Sequence, residues 1–403
     1  MALALLATRR FLPLFTTQFL GALNDNLFKN AMVVLLLWRA GEAGPVLVAA
    51  AGGVFILPYA LFSSMAGELA DGREMAGLIR LIKLFEIALM VLGMAGLVGG
   101  EPALLMAVLF GLGVHSTFFG PLKYAILPAH LAPGELVAGN GLVEAGTFVA
   151  ILIGTIAGGG LVLGSHGDAI VALAGIAVAL AGYFSARFIP PTVPAMPGLA
   201  VGWNVWRGTA AILRAARANP PVWQAILGIS WFWTVGATLL SQFPVIATAT
   251  MGAGSDVVTI FLAVFSIGVG AGSLLAARLL RGVPSTRHVP WAVLGISLFT
   301  TDFVFACEGL PAPDARVLLD LFALAVCGGI FSVPLYTIMQ ARSDVAVRSR
   351  VIAANNVMNA AFMVAGAVAA GGLAATGLGA PRILLAIAVA NLGAFAWFLR
   401  VRT

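Results

Sequence analysis

Long apolar runs separated by short polar intervals dominate this chain. A helix that crosses a membrane needs about 20 apolar residues, and runs of that length recur along the whole sequence. The twelve predicted spans cover residues 11–38, 45–69, 76–99, 102–122, 134–162, 168–189, 222–248, 256–280, 288–307, 315–340, 348–375 and 381–400. The pattern predicts an all-α membrane protein with twelve transmembrane helices, which are called spans one to twelve below.

The only long polar interval lies between spans six and seven. Four prolines, at positions 190, 191, 194 and 197, end span six, because proline has no amide N–H to donate within a helix. The interval divides the chain into an N-terminal half at residues 1–189, a cytoplasmic linker at residues 190–220 and a C-terminal half at residues 221–403.

Within the linker, residues 201–218 predict an amphipathic helix. Val205, Ile212 and Ala216 share one face, whereas Arg207 and Arg214 share the opposite face. A basic amphipathic helix beside membrane spans can lie in the lipid headgroup layer. An ordinary linker helix packed against the two halves fits the same pattern, and the sequence leaves both interpretations open.

The two halves repeat each other. The segment 119–122 (FGPL) in span four matches 332–335 (SVPL) in span ten, and 140–144 (NGLVE) in span five matches 355–359 (NNVMN) in span eleven. Both matches have nearly the same separation along the chain. We therefore expect two pseudo-symmetric six-helix bundles, which is the layout of the major facilitator fold. The segment 67–73 (GELADGR) resembles the signature of that superfamily between spans two and three, and predicts that Asp71 and Arg73 form a conformational latch.

Composition and charge agree with a membrane protein. Hydrophobic residues make up 61% of the 403 residues and charged residues only 9%, whereas a soluble domain carries about 25% charged residues. This composition excludes a soluble enzyme, a nucleic-acid-binding protein and a disordered chain. Most of the 22 Lys and Arg residues fall in intervals that are cytoplasmic if both termini are cytoplasmic, as the positive-inside rule requires. Met1–Arg10 then reads as a short cytoplasmic lead-in and not as a removed signal peptide.

The sequence offers little for other chemistry. The two cysteines, Cys307 and Cys327, cannot build a disulfide framework or a metal site. No Ser–His–Asp, Cys–His or metal-ligand constellation is evident, so we expect neither an enzyme nor a bound cofactor or metal.

Polar residues cluster inside span one. Gln18, Asp25 and Lys29 share one helical stripe, and Asn26 and Asn30 lie on the adjoining stripe. Ionisable groups within a membrane are costly and usually face a cavity or a partner, which makes these residues candidates for substrate binding. Charges four residues apart can also pair with each other, so a purely structural Asp25–Lys29 pair is the alternative.

Further ionisable groups lie in spans three, four and five. Asn140 and Glu144 are one turn apart near the middle of span five. Lys83 and Glu86 of span three form either a salt bridge at the cytoplasmic end or part of a cavity lining. His115 is expected to be hydrogen-bonded within the bundle, and the simple interpretation of Lys123 is a cytoplasmic topology anchor.

Charge within the spans is unevenly distributed between the halves. The C-terminal half offers mainly neutral groups, which are Gln242, Asn355, Asn356 and Asn359. A cavity between the halves would therefore have one charged wall and one mostly apolar wall. This asymmetry favours an amphiphile with an ionic head and a hydrocarbon tail over a sugar.

Three motifs together resemble the bacterial lysophospholipid transporters of the major facilitator superfamily. They are residues 18–30 (QFLGALNDNLFKN), 119–127 (FGPLKYAIL) and 140–145 (NGLVEA), and they are most similar to the transporter portion of members fused to an acyltransferase. The resemblance implies movement of lysophospholipid, typically lysophosphatidylethanolamine, from the outer to the inner leaflet of the bacterial inner membrane by alternating access. An acyltransferase then restores the missing chain. The family's site residues match Asp25, Lys123, Asn140 and Glu144.

One departure from the family concerns span seven, where well-known members carry an arginine and this chain reads 238–242 (TLLSQ). Either Lys29 supplies that charge instead, or the substrate has a different headgroup. The carboxylates Asp25 and Glu144 would meet an ammonium head, and Lys29 or Lys123 would meet a phosphate through charge-assisted bonds. The complete predicted binding set is Gln18, Asp25, Asn26, Lys29, Asn30, Lys123, Asn140 and Glu144.

Two other functions fit the same sequence. One is a proton-coupled transporter of a small organic solute or drug, in which Asp25 or Glu144 titrates. The other is a membrane scaffold that docks a separate acyltransferase, although docking would not require charged groups in the middle of the membrane.

Overall fold

The computed structural model describes residues 2–39 and 43–401 as a bundle of α-helices with no strand in these ranges. The helices are α1 Leu12–Arg39, α2 Gly44–Gly72, α3 Met75–Gly99, α4 Pro102–Ala125, α5 Leu127–His130, α6 Leu136–Leu161, α7 Gly167–Ala186, α8 Val205–Arg217, α9 Pro220–Val245, α10 Ser255–Leu280, α11 Val289–Ala306, α12 Ala315–Arg342, α13 Arg348–Ala375 and α14 Ala380–Arg400. A π-helical turn, Ile246–Thr250, extends α9.

All twelve predicted spans correspond to helices, and their ends differ from the prediction by a few residues. Eleven helices of the described residues are long and apolar enough to cross a membrane. The remaining span is α1, which has 28 residues but carries the polar cluster described above. The chain is thus a multi-pass membrane protein. The single-turn helix α5 and the π-helical turn were not predicted, because segments this short carry no periodic signal.

Helices within each half pack mainly against one another. In the N-terminal half α1 contacts α6 and α7, α2 contacts α4, and α3 contacts α4 and α7; in the C-terminal half α12 contacts α9, α10 and α11, and α11 contacts α14. The halves meet chiefly along α6–α10 and α2–α13. Gly154 and Gly158 let α6 approach α1 closely, since a Cβ at either position would press on the backbone of α1 at Leu23 or Leu27.

The linker helix α8 packs against α2, α13 and α9. It begins after Asn204, whose side chain accepts a hydrogen bond from the Arg207 amide, as a helix N-cap does. Ile212 and Ala216 are buried and Val205 is half-buried, whereas Arg207 and Arg214 are exposed.

Candidate substrate cavity

A cavity of about 440 Å³ lies between the two halves. This volume is within the range of sites that bind small molecules, about 300–1,000 Å³. Its walls come from α1, α2, α4 and α6 on one side and from α9, α12 and α13 on the other. The polar lining residues of the N-terminal half are Gln18, Asp25, Asn26, Lys29, Tyr59, His115, Ser116, Lys123, Tyr124 and Thr147.

Asp25 and Lys29 both line the cavity, but they do not pair. The Ser116 hydroxyl on α4 donates a hydrogen bond to Asp25 Oδ2 at 2.6 Å, and the Lys29 ammonium lies 5.7 Å from the ring centre of Phe55 on α2. Within the described residues no salt bridge of 4 Å or less joins them. The alternative of a purely structural intrahelical pair is thus not seen: Asp25 contacts α4 and Lys29 contacts α2, and both side chains border the cavity.

The three remaining polar groups of α1 have different positions. Gln18 lines the cavity and accepts a hydrogen bond from the Thr147 hydroxyl at 3.0 Å. Asn26 also lines it. Asn30 lies outside the cavity lining. Its side-chain amide donates to the Asn26 carbonyl at 2.8 Å and to the Thr155 hydroxyl at 3.1 Å. Asn30 thus joins α1 to α6.

Lys123 lines the cavity instead of anchoring the cytoplasmic surface. Its ammonium lies 4.8 Å from the ring centre of Tyr124. The Tyr124 hydroxyl donates to Glu144 Oε1, and Glu144 itself is fully buried behind the cavity wall. Glu144 therefore orients a cavity residue and does not border the cavity.

Asn140 lies outside the cavity and joins the two halves. Its side-chain amide donates to Gln340 Oε1 at 2.8 Å and accepts from Gln340 Nε2 at 2.9 Å. It also donates to the Thr337 hydroxyl at 3.2 Å. All three side chains are completely buried, so this network ties α6 to α12.

The C-terminal wall is largely apolar. Its lining residues are Phe232, Trp233, Gly236, Ala237, Leu240, Tyr336, Asn356, Asn359, Ala360 and Met363. None of these carries a charge, and the Trp233 indole N–H is already donated to the Tyr336 hydroxyl at 2.8 Å. The predicted contrast between a charged and an apolar wall is confirmed. Where the family's arginine is missing, Leu240 borders the cavity, and the lining lysines are Lys29 and Lys123.

Sequence reasoning missed several lining residues. Ser116 is the hydrogen-bond donor to Asp25, and the aromatic residues Tyr59, Trp233 and Tyr336 frame the cavity. Isolated Ser, Tyr and Trp residues in apolar helices are common and give no periodic signal. Among these residues, only Tyr336 could have been found from the sequence, because it directly follows the repeat match that ends at Leu335.

A buried ionic cluster lies next to the cavity. Lys83 and Glu86 of α3 form a salt bridge, and Asn24 of α1 donates to Glu86 Oε1 at 2.8 Å. His115 Nε2 lies 3.2 Å from Glu86 Oε2. Lys83 and Glu86 are completely buried, and Glu86 joins α3 to α1 through Asn24 and to α4 through His115. His115 alone of these residues also borders the cavity.

The cavity is closed at the end that carries the linker. Asp71 at the end of α2 accepts hydrogen bonds from the Ser349 amide and from Arg350 Nε, both at 2.9 Å. Above them, the rings of Tyr124 and Tyr336 stack with centroids 4.5 Å apart. The structure thus gives Asp71 a different partner from the predicted one: Arg73 is exposed and forms no salt bridge within the described residues.

Toward the opposite end, burial decreases along α2 and α13. Residues 351–356 of α13 are buried, whereas 361–375 are exposed or half-buried. The same change occurs along α2, where 63–72 are mostly buried and 46–57 are mostly exposed or half-buried. The outer halves of α2 and α13 are therefore less covered by neighbouring helices than the ends that carry the linker. Both helices also contribute to the cavity lining, through Gly52 and Phe55 on α2 and Met363 on α13.

Comparisons with known proteins agree with this architecture. The sequence profile of the Major Facilitator Superfamily matches residues 14–367. The lysophospholipid transporter LplT of Escherichia fergusonii is 32% identical over 344 residues, which cover 82% of this chain and 80% of that protein; LplT of Escherichia coli O157:H7 is 32% identical over 341 residues, with the same coverage. The crystal structure of the human organic anion transporter MFSD10 (TETRAN) superimposes with a TM-score of 0.83 at 14% identity, covering 97% of this chain and 99% of that one. The chain therefore belongs to the major facilitator superfamily and, within it, to the family of the LplT transporters.

Proposed function

We propose that this protein moves lysophospholipid, with lysophosphatidylethanolamine as the expected substrate, from the outer to the inner leaflet of a bacterial inner membrane. The two halves would alternate between outward-open and inward-open arrangements around the cavity. The observation that carries the proposal is the pairing of a charged wall with an apolar wall in one cavity. The names of the LplT relatives support the same substrate class.

The charged wall suits a zwitterionic head. Lys29 and Lys123 supply two ammonium groups for a phosphate, and Asp25 supplies a carboxylate for the amine. Charge-assisted hydrogen bonds of this kind are about twice as strong as neutral ones. Gln18, Asn26 and Ser116 add neutral hydrogen-bonding groups on the same wall.

The apolar wall and the weakly covered outer halves of α2 and α13 suit one acyl tail. Burying a methylene group contributes about 0.8 kcal/mol, and Phe232, Leu240 and Met363 offer such a surface. The exposed outer halves of α2 and α13 would let part of the tail remain in the surrounding lipid. A second acyl chain would have to fit against the same wall, so we expect lysolipids to be preferred over diacyl lipids.

The proposal includes an orientation and a domain division. Both termini and the linker would be cytoplasmic, so the closed end faces the cytoplasm and the structure is outward-facing. Residues 1–189 and 221–403 would act as the moving units, joined by the linker at 190–220. A separate acyltransferase on the cytoplasmic side would reacylate the delivered lysolipid.

Transport by the purified protein in reconstituted vesicles tests this function. Lysophosphatidylethanolamine is compared with its diacyl parent and with a fatty acid that lacks the headgroup. We expect transport of the lysolipid and little transport of the other two. Equal transport of all three, or of none of them, would contradict the proposal.

A second candidate is a proton-coupled transporter of a small organic solute. It is favoured by one observation: His115 borders the cavity and its Nε2 lies 3.2 Å from the buried Glu86 Oε2. Collapse of the proton gradient would abolish uptake of such a solute, whereas facilitated movement of lysolipid down its own gradient would continue.

A further inference from the structure

The face of α8 that points away from the bundle is not purely polar. It carries Arg207, Arg214 and Arg217, all exposed, and it also carries Trp206. Trp206 and Trp203, which lies just before the helix, are each 82% exposed. We call these five residues the α8 outer face. Tryptophan is enriched at membrane–water interfaces, where its amphipathic ring lies at the level of the headgroups.

The depth of α8 along the bundle agrees with that location. Gly208 of α8 lies against Ser64 of α2, since a Cβ at Gly208 would be 2.6 Å from the Ser64 hydroxyl. From the rise per residue of an α-helix, Ser64 lies about 12 Å before the end of α2. The 29 residues of α2 span about 43 Å, which exceeds the hydrocarbon thickness of about 30 Å. The contact therefore lies near the edge of the hydrocarbon layer, and not beyond the membrane surface.

The position of α8 around the bundle is compatible with an outer face that meets lipid. The helix packs across the junction of α2 and α13, and none of its residues borders the cavity. Trp291, near the same end of α11, is also 63% exposed, so indole rings occur at this level on another side of the bundle. The α8 outer face thus lies outside the junction that closes the cavity.

The charge of the segment identifies the lipid class. No Asp or Glu occurs in the sequence between Asp168 and Asp256, so the linker itself contributes only positive charge. Glu68 of α2 accepts a hydrogen bond from the Gly202 amide at 2.7 Å, just before Trp203. Arginines at a membrane surface are attracted to anionic headgroups, and the attraction decays within a Debye length.

We propose that the α8 outer face binds the anionic phospholipids of the leaflet at the linker end, and so holds the linker against the membrane beside the α2–α13 junction. The proposal rests on the geometry of the linker and not on the transported substrate. It is separate from the cavity, whose cations are Lys29 and Lys123.

A spin label tests the proposal in the intact protein. The label is placed at Ala210, which is exposed between Arg207 and Arg214, and the protein is reconstituted in vesicles of phosphatidylcholine with or without phosphatidylglycerol. We expect phosphatidylglycerol to shield the label from a water-soluble nickel chelate while oxygen still reaches it. A matched label at the exposed Ala132, in the α5–α6 loop, should stay accessible to nickel in both lipids.

Two variants separate the contributions of charge and of the indole rings. The double change R207Q and R214Q should abolish the effect of phosphatidylglycerol on the Ala210 label. The double change W203A and W206A should raise nickel accessibility in both lipids. Equal nickel accessibility at Ala210 and Ala132 in phosphatidylglycerol vesicles, or an unchanged lipid effect after R207Q and R214Q, would overturn the proposal, whether or not the protein transports lysolipid.

Discussion

Asp25 is the residue on which the proposed headgroup recognition depends most. Its Oδ2 accepts the Ser116 hydrogen bond, whereas its Oδ1 is buried with no hydrogen-bond partner in the described structure. A buried acceptor without a partner is costly. A carboxylate that the protein leaves partly unsatisfied in a cavity is well placed to meet a cationic group of the substrate.

Asp25→Asn should remove transport without unfolding the protein. The amide oxygen can still accept from Ser116, but the charge-assisted contact to an ammonium group is lost. Such contacts contribute about 1.5–3 kcal/mol, so lysophosphatidylethanolamine should bind roughly ten- to a hundredfold more weakly. Asn30→Ala is the matched control, because Asn30 lies on the same helix outside the cavity lining. If Asp25→Asn binds lysophosphatidylethanolamine as tightly as the wild type does, in detergent or in vesicles, then Asp25 is not part of the binding site.

Lys83 and Glu86 should behave as structural residues. Glu86→Gln leaves the buried lysine without its counter-charge, and breaking a buried ion pair in this way costs about 3–5 kcal/mol. We expect a clear fall in the midpoint of thermal unfolding. The combined change Lys83→Met and Glu86→Leu replaces the pair with apolar groups and should recover much of that loss. A single variant as stable as the wild type would show that the pair does not support the fold.

At the scale of elements, the closed end depends on the contact between α2 and α13. Gly67 allows these helices to meet, since a Cβ there would lie 2.8 Å from the Arg350 Cα and from the Ala353 Cβ. Asp71 then bonds the first turn of α13 through the Ser349 amide and Arg350. An anion at a helix N-terminus is also favoured by the helix dipole. The contact combines close backbone approach with a charged hydrogen-bond network.

Asp71→Asn should shift the protein away from the closed arrangement seen here. The variant loses the negative charge that Arg350 contacts. A hydrogen bond to a charged group contributes about 1.5–3 kcal/mol to stability. Distances between spin labels at Ala132 and Val345, both exposed at the linker end, should lengthen in a larger fraction of molecules. Arg73→Gln is the control and should leave the distribution unchanged. An unchanged distribution for Asp71→Asn would exclude this contact as the latch.

The sequence predicts the helices well and the side-chain partners poorly. Hydrophobic runs define the spans because lipid requires long apolar helices, and this signal is local. Spacing along one helix shows only which residues share a face. It could not show that Ser116 on α4 is the partner of Asp25, or that Arg350 on α13 is the partner of Asp71, since these pairs arise from packing between distant segments.

The same limit applies to depth in the bundle. The sequence leaves Lys83 between a salt bridge at the cytoplasmic end and a cavity lining, and it allows Lys123 as a topology anchor or as a binding residue. In the structure Lys83 is buried in a salt bridge and Lys123 lines the cavity. The sequence groups Glu144 and Asn140 with the binding site because both lie near the middle of span five and both match site residues of the family. In the structure both are buried behind the cavity wall or between the halves.

For the whole molecule, the orientation predicts which loops reach the outside. Cysteines introduced at Glu101 and Asp256, both exposed, should react with a membrane-impermeant thiol reagent added to intact cells. A cysteine at Ala132, exposed at the linker end, should react only after the membrane is opened. Labelling at Ala132 in intact cells would invert the proposed topology.

The central claim is that one cavity holds the lysolipid head on its N-terminal wall and the tail on its C-terminal wall. Photocrosslinking with two lysophosphatidylethanolamine probes tests it most directly, with the reactive group either at the headgroup or at the first part of the acyl chain. Mass spectrometry of the crosslinked peptides should place the headgroup probe on α1 or α4, near Asp25 and Lys123, and the tail probe on α9 or α13, near Leu240 and Met363. Crosslinks of both probes to the same wall, or to positions outside the cavity lining, would contradict the account.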